Sequence, residues 1–285
     1  MNSSRLMVFF TFAALLMSAG CTPQVDEGER RAAVTSDAGD RCARYEALAT
    51  LLGRENALFL GEMHGQIQTA ELMDCLIRDT VSAGEPVVIS LEMSERADFR
   101  LRALPKSAGG ATTVANPELV CELTAWADHP LVRFHFHSPA KGRISENGAF
   151  DQTYDEQGRA RRIREILSPS HRTLVLGGWR HARNTFSTRE SGEIDGYAGY
   201  YLRDAPISRV RLVASEGGVM RNCVLAGGCG LHEGTPMAVP EFGVPLTPSP
   251  EPAFDHYFDV ERFTPSSEAR ALARCPEYEA WLGAD

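Results

Sequence analysis

The sequence has no long basic cluster. Lys and Arg number 29 against 38 Asp and Glu, for a formal net charge of −9. That argues against a nucleic acid partner, because a phosphate backbone is held by a basic patch or stripe. It leaves room for a small anion in a local basic pocket. The seven cysteines form no C-x-x-C pair. Structural zinc sites normally use such close pairs, so scattered cysteines point away from one. The C-x-x-C-H motif of covalent haem attachment is missing too. There is no internal repeat. The apolar run Leu6–Met17 is too short to cross a bilayer on its own.

What is present fits an exported α/β protein. The 285 residues suffice for one large domain or two small ones, and 43% hydrophobic content supports an ordinary core. Arg5 and the apolar run after it read as a signal peptide over residues 1–20. Ser18-Ala19-Gly20-Cys21 resembles a bacterial lipobox, with Ser18 where Leu is usual. Cys21 would then carry the lipid and anchor the chain to a membrane of the bacterial cell envelope, in the periplasm or at the outer membrane. The competing reading is an ordinary secretory signal cleaved nearby. Residues 21–40 are polar and read as a flexible tether, and residues 41–285 as a single domain.

Export favours disulfides among the six remaining cysteines. Six cysteines allow about 15 pairings, and the sequence does not choose among them. The pair Cys223–Cys229 is expected, because Gly227 and Gly228 let the short segment between them turn back.

Short apolar runs alternate with helical patterns. Strands are expected at Ala57–Leu60, Val87–Leu91, Leu131–His137, Thr173–Leu176 and Ser208–Ala214. Helices are expected at residues 41–53, 67–83, 95–105, 117–127, from about Glu156, over 195–202, and within 266–281. Residues 215–252 are rich in Gly and Pro and read as long loops with an edge hairpin. The pattern implies a mainly parallel sheet flanked by helices on both faces, with loop-rich C-terminal additions.

The chemistry gathers at the strand ends. Leu58-Phe59-Leu60 runs into Gly61-Glu62-Met63-His64. The second strand ends at Glu92, the third carries His135 and His137 on one face, and the fourth runs into Gly177-Gly178-Trp179-Arg180-His181. In an open parallel sheet these ends share one rim, where ligands bind. Two of these imidazoles and one or two of the carboxylates could hold a divalent metal. Glu62 or Glu92 would then act as general base. Without a metal, a Glu–His pair can still move protons near neutral pH. His135, His137 and Arg180 are candidate ligand-binding residues, Arg180 as a clamp for a carboxylate or phosphate. The bland reading of any one histidine is a core or capping residue.

Leu60-Gly61-Glu62-Met63-His64, the strand ending Leu91-Glu92-Met93, and Gly178-Trp179-Arg180-His181-Ala182 together resemble the ChaN-like/Tiki–TraB/erythromycin-esterase superfamily, over roughly residues 45–215. Trp179 and Arg180 depart from the small or polar residues usual there. The resemblance implies an α/β fold with its site at the strand carboxyl ends. It implies either a metal-dependent or Glu/His-dependent hydrolase acting on an ester or peptide, with His64, His181 and Glu92 holding a metal such as Mn, Co or Zn, or a lipoprotein of the ChaN-like branch that binds haem or iron without turnover. A scaffold that only binds a partner is the third alternative.

Overall fold

Val87-Val88-Ile89-Ser90-Leu91 and Thr173-Leu174-Val175-Leu176 lie side by side as inner strands of a seven-stranded sheet. β-Branched residues on both faces suit strands that helices cover twice. The computed structural model describes residues 41–94, 116–138, 151–188, 194–224, 228–239 and 244–275. The expected signal peptide, Cys21, the tether, and the helix at 95–105 lie outside these. The described residues fall in one unit, Asp40–Asp285. None of their helices is long and apolar enough to cross a membrane.

The strands are β1 (Ala57–Glu62), β2 (Val87–Ser94), β3 (Val132–Ser138), β4 (Arg172–Gly178), β5 (Phe186–Thr188), β6 (Ile194–Gly196), β7 (Ser208–Val213), β8 (Gly218–Val224), β9 (Gly228–Gly234), β10 (Leu246–Pro248) and β11 (His256–Asp259). The helices are α1 (Glu46–Glu55), α2 (Ile67–Ser82), α3 (Pro117–Ala125), α4 (Gln152–Ile166), α5 (Trp179–Ala182), α6 (Ala198–Tyr201) and α7 (Glu268–Arg274). The main sheet runs β10-β11-β7-β1-β4-β2-β3. Every pairing in it is parallel except β10 with β11. The expected fold class is therefore the observed one.

Alternation along β1 divides the core. Leu58 and Leu60 join one cluster with Leu72, Met73 and Leu76 of α2 and Leu119 of α3. Ala57 and Phe59 join the other, with Ala160 and Ile163 of α4. A period of two sends neighbouring side chains to opposite faces, so one strand feeds both layers. Each fully buried Leu or Phe contributes about 1.5–3 kcal/mol.

Three expectations change. The first strand runs on through Gly61 and Glu62, which pair with Gly177 and Gly178 of β4. The helix expected over 195–202 shrinks to the four residues of α6, because Asp195 pairs with Ser187 in the β5–β6 hairpin. The cysteines pair as Cys42–Cys75 and Cys121–Cys275, neither of which the sequence singles out. Cys223 and Cys229 do stand opposite one another in the β8–β9 register. Their side chains lie outside the described residues.

Candidate active site

Glu62 closes β1, and His64 follows two residues later. The Glu62 side chain is fully buried, and the His64 Nδ1 donates to its Oε1 at 3.0 Å. A carboxylate oxygen only accepts, so the bond places the imidazole proton on Nδ1. The Nε2 is left with no protein partner among the described residues. It stands against Gly178, where a Cβ would lie 3.0 Å from it. Burial opposes charge on His64, but the hydrogen bond and charge of Glu62, with Glu92 behind it, raise its pKa above the ordinary 6.5.

The second imidazole comes from α5, which begins directly where β4 ends. His181 is held from both sides. Its Nδ1 meets Glu156 Oε1 at 2.6 Å and its Nε2 meets Glu92 Oε1 at 3.1 Å. Burial opposes charge here too, yet the Glu92 and Glu156 charges win and lift its pKa to about 10. His181 is therefore an imidazolium at neutral pH. Burial pushes the Glu92 carboxyl up, but the charges of His181 and Arg159 hold it well below 4.5. Its Oε2 also accepts from the Gly178 backbone N–H at 2.7 Å. Glu156 accepts from Ala198 N at 2.9 Å, so the carboxylates are anchored before any ligand arrives.

His135 and His137 share one face of β3, as expected, and both Nδ1 atoms approach Ser90 Oγ, at 2.9 and 3.0 Å. One hydroxyl proton serves only one of them. The other ring must carry its own Nδ1 proton and donate to the oxygen. Burial, with the nearby charge of Arg159, drives the pKa of His137 well below 6.5, so it stays neutral. Its buried Nε2 has no partner. It lies near Glu92 across Gly177. Arg180 is exposed and stacks on Trp179 at 5.7 Å.

The structure brings the side chains of residues 62, 64, 92 and 181 together. Glu156, Arg159 and Ser90 complete the group and were not anticipated. A signal for Glu156 exists: it lies four residues before Ala160 and seven before Ile163, on the buried stripe of α4. A carboxylate in an apolar stripe needs a partner, and His181 is that partner.

The donors do not fit a metal in this arrangement. No group of three His, Cys, Asp or Glu side chains among the described residues is set to ligate one. Both His181 nitrogens are engaged by carboxylates. His137, being fully buried, presents no nitrogen to the axial position of a haem.

Glycines set the spacing. At Gly61 a Cβ would come within 3.0 Å of both Ala182 Cβ and Trp179 Cα. At Gly199 it would lie 2.2 Å from the Ala182 carbonyl oxygen. Gly199→Ala must therefore displace α5 and His181 with it. We expect a loss of about 1–3 kcal/mol in denaturant unfolding. An unchanged midpoint would contradict the close packing of α6 on α5.

The ion pairs also set a pH dependence. The folded pKa of His181 is raised, so its contribution is complete below about 6.5 and fades as pH climbs toward about 10. That of Glu92 is lowered, so its contribution fades as pH falls below 4.5. The stability gap between the protein and His181→Gln should narrow between neutral and alkaline pH. A gap that stays constant across that range counts against the imidazolium.

No protein-family model matches this chain, and no curated protein sequence matches it. Among solved structures it is similar to a mutant erythromycin esterase in its open conformation, with TM-score 0.55 and 11% identity over 79% of this chain and 95% of that one. A Bacillus cereus protein aligns at TM-score 0.45 and 13% identity over 74% and 89%. A toxin effector domain from Vibrio vulnificus aligns at TM-score 0.38 and 16% identity over 67% and 37%. The first likeness shows a shared fold.

Proposed function

We propose that this chain is a hydrolase, with an ester as the favoured substrate class and a peptide as the second. One observation carries the reading. Glu62 orients His64 so that a lone pair on Nε2 faces Gly178, beside the imidazolium of His181. An oriented imidazole with a free Nε2 is the arrangement a general base needs. His64 would take a proton from water as the oxygen attacks the substrate carbonyl, and would return it to the leaving alcohol or amine as the acyl C–O or C–N bond breaks. Glu62 would stabilise the imidazolium that forms. His181 and Arg159 supply positive charge near the place where the carbonyl oxygen becomes negative. The esterase fold likeness supports the same reading. No step runs through a metal. Export as a lipoprotein anchored at Cys21 belongs to the proposal, and an acylated N-terminal peptide in mass spectrometry would support it.

The test is a panel of esters and peptides incubated with the purified protein, with product release followed across pH. The expected result is turnover whose rising limb lies above the ordinary imidazole value, because Glu62 raises His64. A folded protein that turns over nothing, yet develops a Soret band on haem titration, would replace the hydrolase with the haem-binding alternative.

A further inference from the structure

Trp179 departs from the residues usual at its place, and it carries three guanidinium groups. Arg211 of β7 lies 4.3 Å from the centre of its ring, and Arg180 and Arg183 each lie 5.7 Å from it. Arg211 is paired, with its Nη1 donating to both oxygens of Glu251 at 2.9 and 3.2 Å. Arg183 has no carboxylate partner among the described residues. It rests on the rings of Trp179 and Tyr197. The Nε atoms of Arg183 and Arg211 and the hydroxyl of Thr185 are buried without hydrogen bonds. These residues line a cleft of about 380 Å³ beside Glu251.

The charge is out of balance locally. Two guanidiniums, those of Arg183 and Arg211, line the cleft with the one carboxylate of Glu251, in a chain whose net charge is −9. Two buried guanidinium Nε–H groups and a buried hydroxyl without partners are costly unless something accepts their hydrogen bonds. A guanidinium presents a planar fork of donors that matches an oxyanion with two or more oxygens. Thr185 adds a third donor direction. The cleft is also set apart from the Glu/His rim. Trp179 and His181 are two residues apart on α5, which turns their side chains about 200° from each other around the helix. The cleft sits behind the turn that carries His181.

We propose that this cleft binds a small oxyanion, a phosphate or carboxylate group, held by Arg183, Arg211 and Thr185 against Trp179. The site is separate from the proposed hydrolytic centre and does not depend on it. The alternative is that the arginines only pack on the indole and take up no ligand.

Isothermal titration of the full chain with inorganic phosphate, and separately with acetate, tests this against sodium chloride at matched ionic strength. The expected result is one saturable site for at least one of the two anions and none for chloride. Tighter phosphate binding would mark a phosphoryl ligand, and tighter acetate binding a carboxylate. Arg183→Gln should weaken binding at least tenfold, and Thr185→Val severalfold. Should Arg183→Gln fail to fold, Thr185→Val carries the test alone. Heats no larger than those of chloride, or variants that bind as the parent does, would overturn the proposal.

Discussion

His64→Ala is expected to lower kcat on the protein's ester substrate by about 10²–10⁴-fold, with KM little changed. The reason lies in one nitrogen. The Nδ1 of His64 is committed to Glu62 at 3.0 Å, and the Nε2 alone is free to take a proton. Removing the ring removes the base and leaves the pocket walls. Glu62→Gln makes a sharper test, because it barely changes shape. A glutamine side chain can donate to Nδ1, which puts the imidazole proton on Nε2 and blocks its lone pair. The loss should approach that of His64→Ala, by the same tautomer logic that costs about 10⁴ in a Ser-His-Asp site. A rate within twofold of the parent in both variants would leave the proposed chemistry without a base.

The second large effect is on stability. Replacing Cys121 and Cys275 together by Ser is expected to cost about 5 kcal/mol of unfolding free energy in the chain-entropy treatment, because the bridge spans 154 residues. The same change at Cys42 and Cys75 should cost about 4 kcal/mol, because that bridge spans 33. The longer bridge fastens the segment after α7 to α3. The same joint holds Glu118, buried and paired with Arg270 at 2.7 Å. The shorter bridge fastens the start of the domain to α2, beside the Arg41–Asp74 pair at 2.8 Å. Denaturant midpoints of the two double variants measure both terms. Peptide mapping without reductant should recover both linkages. Recovery of any other partner for Cys42 or Cys121 would contradict the architecture at both joints.

Much of the sheet is legible in the residues. Val87–Leu91 and Thr173–Leu176 are short and mainly apolar, and each is a parallel strand buried on both sides; Ser208–Ala214, interrupted by Arg209 and Arg211, forms a parallel strand as well. Glu62 and His64 are legible as chemistry because polar groups directly after such a run must sit at a strand end. Glu156 and Arg159 are harder to see. They lie in a helix so charged that one buried acid hardly stands out, and the partner of Glu156, His181, is 25 residues away. Ser90 looks like a lapse in an apolar strand, yet it joins two histidines 45 and 47 residues further on. Trp179 and Arg180 read as departures from a motif. In the fold Trp179 covers Gly61 and anchors a cluster of arginines.

The chain by itself determined its layers and the edge where its acids and imidazoles end, because side-chain period and strand length are local properties. Tertiary structure alone decided which carboxylate each histidine takes. It decided which imidazole keeps a free nitrogen and which cysteines meet. Those outcomes depend on distances between segments that no local pattern encodes. Strand order sets them, and burial then fixes each charge by the partner it finds there.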